Sequence, residues 1–191
     1  GSSSTYHMGH AVKLAAEDAR DKLLALAGEL GLPAETTPIA ELFRKKYGMQ
    51  AGNIMGFGDF IPPYMPTDHT TGLSANVTPF WMIGAAGVEV EVDTETGHVR
   101  VTKMINVADI GKPINPKIVE TQLSGASIMQ LGCTMSERME FDAGQVTNAS
   151  LADYKIPGLR DLPGHIENEI VNAQQQTGPF GAKGVGETGT F

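Results

Sequence analysis

A strict alternation of apolar and charged residues, Val88-Glu89-Val90-Glu91-Val92, constrains the fold of this 191-residue chain more than any other stretch. Side chains along a strand point alternately to opposite faces, so such a run forms a strand and resists forming a helix. Read outward, the strand covers Trp81 to Asp93. Asp93-Thr94-Glu95-Thr96-Gly97 then makes a tight turn, with Gly97 placed for positive φ, and His98 to Ala108 returns with Val99, Val101 and Met104. A hairpin is therefore the seed of a sheet, and the rest of the chain must supply what covers it.

Helices do so. From His10 to Leu30 apolar residues recur at helical spacing (Val12, Ala15, Ala16, Ala19, Leu23, Ala27, Leu30), and Gly31 and Pro33 mark the stop. A short helix is predicted from Pro38 to Tyr47, with Ile39, Leu42 and Phe43 inward. Gly111 to Pro116 reads as a turn. Asn115 is a good N-cap and Pro116 suits the first helical position of a helix running to about Met135. Gly125 and Gly132 each cost about 1 kcal/mol inside that helix, so they predict close packing against something. Met139 to Asp142 and Val146-Thr147 flank Ala143-Gly144 as a second hairpin, and a last strand spans His165 to Val171. Strands and helices come in runs, so the expected class is α+β, an antiparallel or mixed sheet with hairpins packed against two or more helices. The 191 residues form one region in three parts: an N-terminal loop and helices (1–48), an irregular linker without sustained period (49–80), and the hairpins, long helix and glycine-rich loop (81–191). Long irregular segments of the middle kind are either disordered or functional.

Composition excludes several classes. The net charge is −8 and neither lysines nor arginines form a run, so nucleic acid is not an expected partner. No stretch approaches the roughly 18 apolar residues of a membrane span, and the opening residues are not expected to be a signal peptide. The single cysteine, Cys133, excludes an internal disulfide framework, a thiolate metal cage and a resident iron–sulfur cluster. His7, His10, His69, His98 and His165 are scattered without zinc-site spacing, so no metal held by side chains is expected. A reducing, cytoplasmic setting is the simplest expectation, with export alongside a partner left open.

The densest chemical signal is Gly181-Ala182-Lys183-Gly184-Val185-Gly186-Glu187-Thr188-Gly189-Thr190-Phe191. Glycines let backbone approach a bound group closely, and a lone carboxylate shielded among them is a candidate general base. Composition alone reads the same stretch as a flexible tail with an exposed glutamate. Lys183 can offset that charge or bind a phosphate; the plainer reading is an exposed lysine. Gly1, Ser2, Ser3 and Ser4 precede the first helix, where hydroxyls and backbone N–H groups bind phosphate well. A Gly-Ser start followed by His7-Met8 is equally the remnant of an expression tag.

Gly-x-Lys-Gly-x-Gly-Glu, at Gly181 to Glu187, resembles the catalytic loop of the molybdenum hydroxylases, the xanthine dehydrogenase and aldehyde oxidase family. Four more stretches are similar to that family in the same order: the hairpin Val88 to Asp93 with Thr96-Gly97, the turn Asp109-Ile110-Gly111-Lys112-Pro113-Ile114-Asn115-Pro116, the helix from Gln122 to Gly132, and Asp153-Tyr154-Lys155-Ile156-Pro157 as a strand entry. The resemblance covers most of the chain, most strongly from about Trp81 onward, and points to the C-terminal part of the molybdopterin-binding large subunit.

That resemblance implies a fragment of a molybdopterin-dependent hydroxylase or dehydrogenase that oxidises a carbon centre of a small molecule, with water as the oxygen source and Glu187 as the base. It implies that Gly1, Ser2, Ser3 and Ser4 grip the cofactor's phosphate, although family members often carry arginine where Ser3 stands. Gln122 would lie against the cofactor, its amide offering donors and an acceptor. Lys183, Gly184 and Gly186 would complete the contact, and Gln130 would share roughly the same helix face. The implied partners are the N-terminal half of the subunit and subunits or domains carrying iron–sulfur clusters and FAD. On its own the chain would be inactive. It would also present an apolar surface lined by Gly125, Gly132, Met129 and the 181–189 loop, leading to self-association or to a disordered tail. The alternative reading is a non-catalytic structural or assembly module.

Overall fold

The structure is a computed structural model. It describes residues 3–50 and 52–191, which divide into two compact units, Ser4–Pro79 and Phe80–Phe191.

The first unit is built on helix α1 (Ser3–Glu29) and helix α2 (Ile39–Tyr47). Helix α1 ends where Gly31 and Pro33 predict. Leu32 N–H donates to the Ala27 carbonyl at 2.9 Å and Gly31 N–H to Gly28 at 3.1 Å, closing the last turn around a positive φ at Gly31. The start differs from the expectation: the helix begins at Ser3, not His10, so Ser3 and Ser4 form its first turn. The cause is a tertiary contact. Tyr6 is buried, edge-on to His10 at 5.0 Å between centroids and to Phe60 at 5.6 Å, and holds turns that lack an apolar period of their own. Leu26, Ala27 and Leu42 form the core, joined by Leu23, Leu30, Leu32, Ala34 and Ile54. Basic residues Arg44, Lys45 and Lys46 in the last turn of α2 complement its dipole.

The segment expected as a linker is irregular, but part of it lies along α1. A Cβ on Gly56 would sit 1.9 Å from the Ala15 carbonyl oxygen, so only glycine permits this approach. Asp18 Oδ2 accepts from Phe57 N–H at 2.7 Å and from Lys22 Nζ at 2.7 Å, and Lys22 also reaches the Met55 carbonyl at 2.9 Å. Tyr64 hydroxyl and His7 Nε2 pair at 3.1 Å.

The second unit holds a three-stranded sheet in the order β1 (Ile83–Val92), β2 (Val99–Asp109), β5 (His165–Val171). Strand β1 runs antiparallel to β2, from Ile83 opposite Asp109 to Val92 opposite Val99, with a bulge between Glu89 and Val90. Strand β5 runs parallel to β2, from Lys103 beside His165 to Asp109 beside Val171. A parallel pair needs a crossover, which contains helix α3 (Pro116–Met135). The fold is therefore α+β with a mixed sheet. Asn115 caps α3, its side chain accepting from Ile118 N–H at 3.3 Å, with Pro116 in the first turn. Between β2 and β5 the chain adds a hairpin, β3 (Phe141–Asp142) with β4 (Gln145–Val146), turned on Ala143 and Gly144, both at positive φ. Asp153-Tyr154 is not a strand entry: it closes a one-turn helix, α4 (Leu151–Tyr154), after which Lys155 adopts left-handed backbone. Ser150 hydroxyl donates to Asp153 at 2.7 Å and closes that turn.

Burial corrects one inference from the alternation. Every residue of β1 is exposed, and Val88, Val90 and Val92 remain about half accessible. The buried alternation belongs to β2, where Met104, Asn106 and Ala108, followed by Ile110, face α3. Ala108, Ile110, Val119 and Leu123 form the core, with Ile170 and Val185 packed on it. A polar seam runs through this interface. Asn106 Nδ2 donates to Asn168 Oδ1 at 2.9 Å and to Ser127 Oγ at 3.2 Å, while Asn168 Nδ2 donates to Ser124 Oγ at 2.7 Å and the Glu120 carbonyl at 3.2 Å. Such a buried network matches specific positions of α3 to the sheet and so fixes the helix along its axis. Of the two helix glycines, Gly132 is tightly packed, with Pro157 carbons 2.6 and 2.8 Å from an added Cβ, whereas Gly125 is exposed and has open space.

Candidate active site

The glycine-rich loop is no flexible tail within this unit. It leaves a short 3₁₀ turn, Pro179–Gly181, and pairs with the turn that follows β2: Gly111 bridges Ala182, Lys112 N–H donates to the Gly181 carbonyl at 2.7 Å, and Lys183 N–H donates to Ile110 at 2.9 Å. Gly111 has φ of +65°, and a Cβ there would lie 2.4 Å from the Gly181 oxygen, so glycine is required on both counts. Gly181, Ala182, Lys183 and Gly184 are all buried.

Lys183 is not the exposed lysine expected. It is 8% exposed, and its Nζ donates to Asp109 Oδ2 at 2.8 Å and to the Trp81 carbonyl at 2.9 Å. The ammonium is engaged inside the unit by Asp109 and Trp81. Burial opposes the charge on Asp109. The hydrogen bonds from Lys183 and Gly111 N–H, with the Lys183 charge, outweigh it and hold the carboxyl below its usual range.

Past Lys183 the loop meets α3. Gln122 Nε2 donates to the Gly186 carbonyl at 2.5 Å. Beyond the glutamate, Thr188 is buried with its hydroxyl 3.3 Å from Met82 Sδ, and an added Cβ on Gly189 would lie 2.6 Å from the Leu123 carbonyl oxygen. Thr190 closes on Glu187 from both its N–H (3.0 Å) and its hydroxyl (2.7 Å), each donating to the Glu187 carbonyl. The backbone of Glu187 is thus fixed from both sides, while the residue itself is exposed. The shielding from water expected of a general base is not supplied by the described residues.

Gln122, Lys183, Gly184, Gly186 and Glu187 therefore gather at one corner of the 80–191 unit. Ser3 and Ser4 stand exposed in the first turn of α1, which has no acidic residue. Gly1 and Ser2 lie outside the described residues. Among the described residues no group of three or more His, Cys, Asp or Glu side chains comes together to hold a metal ion. Sequence reading missed Asp109 as the partner of Lys183; its position at the end of a strand, before a glycine turn, was the available signal. It also missed Asn106 and Asn168, polar residues flanked on the inward strand faces by apolar Met104 and Ala108 and by Ile166 and Ile170.

Comparison with known proteins shows the family of the chain. The profile of the molybdopterin cofactor-binding domain family matches residues 1–163. The probable hypoxanthine oxidase XdhD of Escherichia coli K12 is 33% identical over 202 residues, spanning 98% of this chain and 20% of the relative. The aldehyde oxidoreductase molybdenum-binding subunit PaoC of the same strain is 36% identical over 104 residues, or 53% of this chain and 14% of that subunit. Among solved structures, the aldehyde oxidoreductase from Desulfovibrio desulfuricans ATCC 27774 matches the whole chain with a TM-score of 0.77 at 28% identity, this chain covering 19% of it. The Cu,Mo-CO dehydrogenase matches 99% of the chain with a TM-score of 0.78 at 23% identity, covering 25% of that protein, a likeness of fold. The chain spans about a fifth of the length of XdhD and of the aldehyde oxidoreductase. With the family profile over most of its residues, this chain belongs to the molybdopterin cofactor-binding domains of the molybdenum hydroxylase family.

Proposed function

We propose that this chain is the C-terminal molybdopterin-binding part of a hydroxylase large subunit, in which Glu187 is the general base for oxidising a carbon centre with oxygen from water. The observation that carries this reading is the hydrogen bond from Gln122 to Gly186. It ties Gln122 to the residue just before the exposed Glu187, in the glycine-rich loop of a chain of this family.

The residues present fit the cofactor. Gln122 uses one of its two N–H donors on Gly186, which leaves the other donor and its carbonyl oxygen for a hydrogen-bonding pterin. Gly186 carries no Cβ to hold a large group away, whereas Gly184 is buried and serves the path of the loop. Molybdopterin, when bound, supplies the two-electron redox chemistry. Glu187 accepts the proton released as water's oxygen is delivered to the substrate carbon. Its carboxylate must be desolvated for that task, and the exposed side chain here leaves this covering to the N-terminal half of the subunit and the bound ligands. Ser3 and Ser4, at a helix N-terminus without acidic residues, suit the cofactor's phosphate. Iron–sulfur and FAD groups would reside on partner subunits or domains and would supply the electron acceptors. Alone, the chain lacks these parts and acts as an inactive module.

Two measurements test the reading. The isolated chain should contain no molybdenum by elemental analysis; a stoichiometric signal contradicts the fragment reading. The complete enzyme, turned over with aldehydes or N-heterocycles in ¹⁸O-labelled water, should place the label in the product; unlabelled product contradicts water as the oxygen source.

A further inference from the structure

Lys183 stands four residues ahead of Glu187, and three parts of the unit meet at its ammonium: the residue leading into β1 (Trp81), the end of β2 (Asp109) and the loop itself. The side chains of the pair are 7% and 18% exposed, respectively, for Lys183 and Asp109. Asp109 does two jobs at once. Its Oδ2 accepts from Lys183, while its Oδ1 accepts from Gly111 N–H at 3.0 Å and shapes the turn that leads into α3. One carboxylate thus ties the loop that carries Glu187 to the turn that launches the helix carrying Gln122. Between Lys183 and Glu187 the loop has only Gly184, Val185 and Gly186, a sequence of high backbone freedom. Its upstream fixtures are the Lys183 cluster, Val185 on the core and the bond from Gln122.

We propose that Lys183 and Asp109 form a positioning pair for Glu187, the buried ion pair setting where the loop stands against the end of β2. The proposal rests on the reading of Glu187 as the base. An ammonium suits the place, since its three donors satisfy a carboxylate and a carbonyl that lie in different directions.

The test uses the complete enzyme and the variants Lys183→Met, Lys183→Gln, Asp109→Asn and Lys183→Met/Asp109→Asn, with Glu187→Gln as control. Lys183→Met should keep wild-type molybdenum content and KM and lower kcat by about 100-fold, the size expected from a base displaced by about 1 Å. Hydrogen exchange of amides 182–190 should quicken, while amides of α2 keep their wild-type rates. The double variant should be no slower than Lys183→Met, because both substitutions break one contact. Lys183→Gln retains a donor and should fall between Lys183→Met and wild type, and it serves if Lys183→Met does not fold. Wild-type kcat with unchanged exchange in 182–190 overturns the proposal. So does a lower rate wholly explained by lost molybdenum. If Glu187→Gln is inactive while Lys183→Met is normal, the pairing alone fails. If Glu187→Gln stays active, the base reading fails, and with it the claim that the pair positions a base, whatever the exchange rates show.

Discussion

Gln122 and Gly186 stand 64 residues apart in sequence and are joined by a 2.5 Å hydrogen bond from the side-chain amide to the backbone carbonyl. The bond fastens the long helix to the loop one residue before Glu187. Removing it with Gln122→Leu deletes this one bond and should destabilise the chain by only about 1 kcal/mol. Its effect on turnover in the complete enzyme should be larger than that loss of stability would suggest. Thermal melts and kcat measured on the same variant check this; a melt shift with full activity would assign the bond to stability alone.

The two helix glycines should respond in opposite directions. Gly132→Ala forces a Cβ into the stiff ring of Pro157 and should destabilise by about 1–3 kcal/mol. Gly125 has open space around it, so Gly125→Ala should stabilise the isolated chain by up to about 1 kcal/mol. Denaturant titrations of the two variants decide it, and equal shifts of one sign would contradict the packing described.

Asp109 gives a pH dependence with a defined sign. Its folded-state carboxyl is held below the ordinary value of 3.8, so as pH falls the unfolded chain takes up the proton first. The stabilisation is complete above 3.8 and is lost as pH falls from there through the lower folded value. Asp109→Asn should cost about 3 kcal/mol at neutral pH, the low end for breaking a buried pair, since Asp109 keeps some exposure. Melts across pH should show a constant gap between wild type and variant that narrows only below 3.8. A gap that closes at neutral or mildly acidic pH would contradict the depressed carboxyl.

Of the apolar surface predicted along Gly125, Met129, Gly132 and the 181–189 loop, Gly132 and most of the loop are filled by the chain itself, while Gly125 and Met129 stay exposed. Further apolar exposure lies on β1, an edge strand with Ile83 at 63% and Val88 at 53% accessibility, preceded by Trp81 at 72%. Long exposed edges invite pairing with a second chain. The isolated chain should therefore form dimers or larger species by light scattering, and Val88→Lys/Val90→Lys should return it to monomer. A monomeric wild type at high concentration would contradict this.

Local signals were legible where local chemistry decides. The span of α3 follows from Asn115, Pro116 and the apolar spacing, and β5 follows from its short alternation. What sequence could not give depends on distant partners. Helix α1 starts at Ser3 because Tyr6 meets Phe60, and β1 stays exposed because β5 takes the far side of β2 while α3 covers β2 and β5. Lys183 is buried because Asp109, 74 residues earlier, lies beside it. Glu187 was legible as a residue of interest, whereas its exposure depends on what covers the loop.

Glu187→Gln in the complete enzyme tests the central claim most directly. The amide is nearly isosteric and cannot accept the proton, so molybdenum content should match wild type while kcat falls by at least about 10²–10⁴-fold. A variant that keeps its molybdenum and turns over at more than about a tenth of the wild-type rate would contradict Glu187 as the base.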